Sequence, residues 1–367
     1  MIHLALHILN MSVNVLLALM FVLSGLATRV SPETWIIPSF FSLGFCIFGV
    51  LNLFFVIYWI IRRKWNFVLS LACLVLMSDV INYQFLLFGN DEEKAEGKNI
   101  TLLSYNVQLF NLYRQKDGSN DIISFILDKD VDIVCLQEFG WYNEKGFVSQ
   151  SVLNRTLGDR YPYCYAITDP NFGGRATYGI ATYSKFPIIN RDSVRYPTHY
   201  NRTSTCDILV GNDTLHIVNC HLESNLLTND DRKLVLATLD STNQHNLNKT
   251  GELLIRKMGK AAKTRAKQAD AIAAHVKKQA GRKVIVCGDL NDHPASYTYH
   301  KTRGELSDAF LDESEDNGLG ITYNEFPFFY RIDYLFHSKS LKVEDFETGT
   351  EKLSDHYPIE AKILLNP

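Results

Sequence analysis

The chain has 367 residues, more than one ordinary domain needs, and 46% are hydrophobic, ample for a packed core. The net charge of −3 is unevenly spread: residues 1–90 hold four Lys/Arg and two acids, the remainder 33 Lys/Arg against 38 Asp/Glu. A dedicated nucleic-acid binder carries a basic excess, because counterion release drives its affinity. That class is disfavoured, and no segment is polar enough to read as disordered.

Three apolar runs come first, at about Leu4–Ala27, Ile36–Ile61 and Phe67–Phe88. About 20 apolar residues are needed to cross a bilayer, so each is expected to span. His3 and His7 stand where a signal peptide would carry Lys or Arg, which favours an anchor over a cleaved leader. Asp79, Asn82 and Gln84 make the third run the weakest. Arg62-Arg63-Lys64 after the second run marks a cytoplasmic loop by the positive-inside rule. Three spans then place everything after Phe88 outside the cytoplasm; two would leave it inside. The expected organisation is a transmembrane region over 1–90, a polar linker over 91–98 and one further domain over 99–367.

Beyond the linker, apolar β-rich segments alternate with helical ones. NITLLSYNV (99–107) reads as a buried strand, DIISFILDKD (121–130) as a helix and VDIVCLQE (131–138) as a strand. YGIATYS, DILVGNDTLHIVNCHLE and KVIVCGDLND follow as strands, the second a hairpin around Gly211-Asn212-Asp213. Residues 226–258 form a polar insertion without clear periodicity. From Arg256 to Lys278, the spacing of Ala262, Ala266, Ala269, Ile272, Ala273 and Val276 predicts a helix whose lysines face solvent. The seven cysteines lack zinc spacing. Cys46, Cys73, Cys135, Cys220 and Cys287 read as small buried hydrophobes, while Cys164 and Cys206 could meet across strands. The whole suggests one α/β domain of two sheets with covering helices.

Several of these strands end abruptly in an acid, an amide or an imidazole: Asn106, Glu138, His221, Asp289 with Asn291, Asp333, and Asp355 with His356. One such residue is usually a turn former. Together they form a rigidly held polar set at strand ends. Asp, Glu and Asn are hard oxygen donors suited to Mg²⁺, Mn²⁺ or Ca²⁺. Histidines near them can act as base and as donor to developing negative charge. Such a set suits attack of water on a phosphoester. No G-x-S-x-G elbow and no Gly-rich phosphate loop is present.

The strings LLSYNV, DIVCLQE, YGIATYSKFPI, VNCHLES, VIVCGDLND, RIDYLFHS and LSDHYPI resemble, in order, those of the endonuclease/exonuclease/phosphatase superfamily. That superfamily includes deoxyribonucleases, abasic-site endonucleases, neutral sphingomyelinases and inositol polyphosphate phosphatases. The resemblance spans nearly all of 99–364 and points to a membrane-anchored member of bacterial type. It implies a four-layered α/β sandwich, a divalent cation, and cleavage of phosphoesters by in-line attack of activated water. By that likeness Glu138 ligates metal, while Asn106 and Asp355 lie beside metal and phosphate. His221 stabilises the phosphoryl oxygens, Asp289 activates water, and Asn291 holds the phosphate. His356 serves as acid/base, oriented by Asp333. Lys185 stands where a basic residue is frequent, and the 226–258 insertion has no counterpart: a surface loop, or a segment overhanging the cleft.

The resemblance leaves the substrate open between nucleic acid, a phospholipid headgroup and a small phosphate ester. The expected partners are that substrate and a bilayer held by the N-terminal helices; no obligate protein partner is evident. A lipid or inositol phosphate phosphatase, or phospholipase, of the same fold is the first alternative. A non-catalytic module that binds a phosphate ligand is the second. Three apolar runs are too few for a carrier with internal repeats.

Overall fold

In a computed structural model, the protein is described over residues 2–85, 97–111, 120–142, 144, 147–172, 176–196, 201–225, 227–240, 244–313, 318–325 and 328–365. Most of the expected 91–98 linker lies outside these residues. The chain divides into two compact units. One comprises Met1–Phe85, Ser224–Ala266 and His293–Lys301; the other comprises Leu86–Glu223, Lys267–Asp292 and Thr302–Pro367.

The second unit is built on two sheets. Its strands in chain order are β1 (Asn99–Asn106), β2 (Ile133–Tyr142), β3 (Tyr163–Phe172), β4 (Ala176–Ser184), β5 (Ile188–Val194), β6 (Thr203–Val210) and β7 (Asp213–His221). They continue with β8 (Lys283–Asp289), β9 (Ser307–Asp308), β10 (Tyr323–Glu325), β11 (Phe328–Tyr330), β12 (Asp333–His337), β13 (Lys342–Thr348) and β14 (Ile359–Leu364). One six-stranded sheet has the order β13-β14-β1-β2-β4-β3, the other β5-β6-β7-β8-β12-β9, with β10 and β11 paired apart. Each large sheet contains one parallel pair, β1 with β2 and β7 with β8, among antiparallel neighbours.

Alternation along the strands explains how the sheets pack. Leu102, Ile133 and Cys135 meet Ile208, Ile217, Ile285 and Leu335 in one buried cluster. Their neighbours Leu103, Tyr105, Val134 and Leu136 point the other way, onto Ile122, Ile123 and Ile126 of the helix Asp121–Lys129 and Leu153 and Leu157 of Gln150–Arg160. Asn120 and Ser149 cap those helices by accepting from Ile123 N–H and Val152 N–H. The expected hairpin is present as β6–β7, paired from Val210↔Asp213 across Gly211-Asn212. Cys164 and Cys206 lie in different sheets, and both are free thiols.

In the first unit the expected triplet of spanning helices is not supported. Ile2–Leu26 is the one described helix long and apolar enough to cross a membrane, over His3–Leu26. The second run breaks at Leu43-Gly44 into Ile37–Ser42 and Phe45–Ile61. The longer piece has 17 residues. At 1.5 Å rise per residue that is roughly 25 Å, short of the roughly 30 Å hydrocarbon layer. The third run kinks by 64° between Phe67–Leu76 and Ser78–Gln84. Parity among three spans therefore no longer fixes the side of the membrane.

Phe21, Phe45, Cys73, Met77 and Val80 pack with Ala295 from the 293–301 segment. A buried polar thread runs through these helices: Trp59 Nε1 donates to Asn14 Oδ1 at 2.9 Å, and Asn14 Nδ2 donates to Ser70 Oγ at 2.6 Å. The 226–258 insertion is not an irregular loop over its described residues. It holds the helix Asn229–Asp240 and the start of a 35-residue helix, Gln244–Lys278, far longer than the Arg256–Lys278 expected. Gly259 of that helix faces Phe40, whose ring would lie 3.2 Å from a Cβ placed there, a close approach.

Candidate active site

The strand-end residues come from both large sheets. β1 ends at Asn106, β7 at His221 and β8 at Asp289, while β12 opens at Asp333. The registers His221↔Asp289 and Asp333↔Asp289 set three of these groups side by side. Gly288 permits this alignment. Its φ is +127°, and a Cβ there would lie 2.1 Å from the Cys220 carbonyl oxygen. Glu138 sits in β2 where the pairing with β4 shifts between Leu136 and Phe139. It adopts φ +47°, and Asn291 adopts φ +53°. Left-handed backbone in such residues is costly, and here it turns two polar side chains toward the strand ends. A left-handed turn over Gln108–Asn111 follows Asn106 directly.

Asp289 is the hub. Its Oδ1 accepts from Asn291 N–H at 2.7 Å, and its Oδ2 accepts from Asn106 Nδ2 at 3.0 Å and Asn291 Nδ2 at 3.1 Å. The same Oδ2 lies 3.6 Å from His221 Nε2 and 3.7 Å from His356 Nε2. His356 Nδ1 is 2.8 Å from Asp333 Oδ2. Ser354 Oγ donates to the Asn106 carbonyl at 2.8 Å, and Thr322 Oγ1 accepts from the backbone N–H of Asp333 at 3.0 Å. Asp355 follows the same loop, with Oδ1 at 3.3 Å from Ser354 Oγ. The geometry thus brings together all the expected site residues; Glu138, Asn291 and Asp355 keep partial exposure where the rest are buried.

Burial and crowding set the proton affinities. Burial pushes Asp289 up to about 8, with Asp333 adding to it and His356 and the Asn291 and Asn106 hydrogen bonds opposing. Burial and then the Asp355 charge raise Glu138 to about 7. With 29% of its side chain exposed, Glu138 retains water contact that softens this shift. Burial alone would discharge His356, yet Asp333, Asp289 and Asp355 outweigh it and hold its proton affinity well above the ordinary imidazole range. Burial, reinforced by His356, drives His221 down to about 3.

These residues suit a hard cation. The Asp355 charge raises the cost of ionising Glu138, which a divalent ion would relieve, and the donors of both are oxygen. His221 Nε2 is buried without a hydrogen-bond partner, 3.7 Å from Glu138 Oε1, leaving one polar atom for a further ligand. Asp289, Asp333 and His356 also hold ligand atoms within 4.8 Å of one another. There, however, His356 and Asp333 already satisfy each other.

Three supporting residues escaped the reading of the sequence. Ser354 and Thr322 brace the backbone, and the hydroxyl of Tyr178 lies 3.3 Å from His221 Nδ1. Tyr178 and Ser354 lie within YGIATYSKFPI and LSDHYPI, and a polar residue within a strand or loop gives no signal of its own.

The two packed sheets, with polar residues converging from both, define a class of α/β domain whose site lies at strand ends. The chain belongs to the Endonuclease/Exonuclease/phosphatase family, whose profile matches residues 103–356. A second profile, described only as a domain of unknown function (DUF8431), matches residues 7–83. An endonuclease/exonuclease/phosphatase from Beutenbergia cavernae DSM 12333 shares the fold at 15% identity and TM-score 0.53, covering 73% of this chain and 72% of that one. A family protein from Leptotrichia buccalis C-1013-b does so at 19% identity and TM-score 0.51, covering 72% and 99%. No curated protein sequence gives a significant match.

Proposed function

We propose that this chain is a divalent-cation-dependent phosphoester hydrolase held at a membrane by its N-terminal helices. The observation that carries the reading is the convergence of His221, Asp289 and His356 within 3.7 Å contacts, with Glu138 and Asp355 alongside. Asn106, Glu138 and Asp355 would hold the cation, which when bound neutralises charge on the phosphoryl oxygens. Asp289, fixed by Asn106 and Asn291, would orient a water and accept its proton once the charge of a bound cation offsets the burial that raises its proton affinity. The His221 Nε2 position would face a phosphoryl oxygen, and the Asn291 amide, which here donates to Asp289 and to the Leu222 carbonyl, would turn to another on binding. His356, kept charged by Asp333, gives a proton to the leaving oxygen. The helix His3–Leu26 supports anchoring, and a bilayer nearby favours a lipid-derived phosphoester over nucleic acid.

The test is a Mg²⁺-dependent activity panel on the full chain in detergent. It would compare bis-(nitrophenyl) phosphate, single- and double-stranded DNA, sphingomyelin, lysophospholipids and inositol phosphates, with Asp289→Ala and His356→Ala as controls. Hydrolysis that survives EDTA and both substitutions would sink the mechanism. Release of the chain from membranes by alkaline carbonate would refute the anchor.

A further inference from the structure

We propose that Tyr178 is a positioning residue: its phenol donates to Nδ1 of His221 and holds that imidazole in the tautomer carrying its proton on Nε2. The inference rests on the hydrolase reading for its consequence in catalysis, but the bond itself belongs to the resting protein.

The argument starts from the two nitrogens of His221. Nδ1 lies 3.3 Å from the Tyr178 hydroxyl, whereas Nε2 faces Glu138 Oε1 at 3.7 Å and Asp289 Oδ2 at 3.6 Å. Nε2 is set between oxygen atoms of two acidic side chains, whereas Nδ1 has one neighbour, a phenol whose hydroxyl can donate. A neutral ring is served on both sides when its proton sits on Nε2. Nδ1 is then left as an acceptor, and the phenol is the donor beside it. Nε2 has no hydrogen-bond partner, so its N–H is held ready for an oxygen the resting protein does not supply.

Tyr178 is built for a fixed role. It sits within β4, opposite Gly140 of β2 and Asp169 of β3, and it is 6% exposed. Its ring stacks on Phe172 with centroids 4.4 Å apart and planes at 17°, which fixes where the hydroxyl points. Burial first, then the charges of Glu138, Asp289 and Asp355, keep the phenol protonated far above its usual range, so it stays a donor. Tyr178 comes from one sheet and His221 from the other, so the bond ties the site across the core. A histidine free to exchange tautomers would present a lone pair to the phosphoryl oxygen part of the time, and the donor would be lost.

The test uses the full chain in nanodiscs with ¹⁵N-labelled histidine, His221 being assigned by its disappearance in His221→Gln. Tautomers differ widely in ¹⁵N shift, so the wild type is expected to show one form, protonated at Nε2. Tyr178→Phe keeps the stacking face and removes only the hydroxyl. It should produce a tautomer mixture and lower kcat on bis-(nitrophenyl) phosphate about tenfold with KM within about twofold, as expected for one lost donor-positioning bond. Should Phe at 178 fold poorly, 3-fluorotyrosine at that position preserves shape with a stronger donor and should shift the His221 Nδ1 signal. A single Nε2–H form retained in Tyr178→Phe together with unchanged kcat, or an Nδ1 signal indifferent to fluorination, would overturn the proposal. If instead Asp289→Ala leaves hydrolysis intact, the hydrolase reading fails while the tautomer comparison still reads the Tyr178 bond.

Discussion

Two aspartate–histidine pairs in the unit that carries the two large sheets are of nearly equal length and opposite character. At the strand ends, His356 Nδ1 lies 2.8 Å from Asp333. On the hairpin, His216 Nδ1 lies 2.7 Å from Asp207. The first imidazole is held charged by carboxylates on two sides. The second is driven the other way: burial lowers His216, and the Asp207 contact offsets this only in part. Burial raises Asp207 too, but hydrogen bonds from His216, Asn190 and Arg282 more than compensate and keep it below its usual range. Asp207 is thus shared with a guanidinium at 2.7 Å, and beyond His216 stands a second imidazole, His275, with Nε2 atoms 2.8 Å apart. The ring centroids are 5.1 Å apart and the planes differ by 23°, so the rings face each other nitrogen to nitrogen. That arrangement needs one proton between two neutral rings. A short Asp–His contact therefore does not by itself make an acid; what surrounds the other nitrogen decides.

Breaking each pair in turn should separate chemistry from stability. The largest effect is expected from His356→Ala, which should cut kcat by roughly 10²–10⁴-fold, the ordinary worth of a general acid; Asp207→Ala should leave kcat within about twofold. Steady-state rates on one chromogenic diester decide this. Asp333→Asn keeps the shape but removes the charge that orients and charges His356, and roughly 10²-fold should be lost from kcat with KM little changed. Equal rates for Asp333→Asn and wild type would make the pair structural at both places.

Stability should rank the other way. Asp207→Ala leaves His216 and Arg282 without their shared acceptor, and a loss of about 3 kcal/mol is expected in chemical denaturation of the detergent-solubilised chain. The smallest effect concerns pH. His216 and His275 both bind protons less readily folded than unfolded. As pH falls below about 6.5 the unfolded chain takes up protons first, so their contribution is present above that value and is lost below it. His275→Gln should flatten the decline in stability between about pH 6.5 and 5. An unchanged slope would show that the two rings do not titrate as a linked pair.

How much of this the sequence disclosed depends on where the physical signal lay. Asn106, Asp289 and their companions were legible because each follows an apolar run that can only be a buried strand. The Asp207–His216 pair is legible in principle from the hairpin. Counting back from the Gly211-Asn212 turn, with Val210 opposite Asp213, places Asp207 opposite His216. Tyr178 gave no such sign, since its partner stands on a strand of the other sheet. The length of the apolar runs is legible, but the break at Gly44 is not, because one glycine inside an apolar stretch does not by itself end a helix. The helix Gln244–Lys278 was legible only from Arg256 onward. Its turns before Arg256 bury Thr250, whose hydroxyl meets that of Thr238 at 2.8 Å, so their order is tertiary in origin rather than written in their own periodicity.

The membership of the first unit has a bearing on ancestry. Ser224–Ala266 and His293–Lys301 lie between strands of the hydrolase-like fold, yet they cluster with the N-terminal helices. Ala295 is part of the same apolar cluster as Phe21 and Phe45. An exchange of N-terminal segments between genes would strand both interior pieces without the surface they evolved against. The two parts of this protein are accordingly expected to be inherited together, and a truncation at residue 97 should yield an aggregating polypeptide rather than a free enzyme.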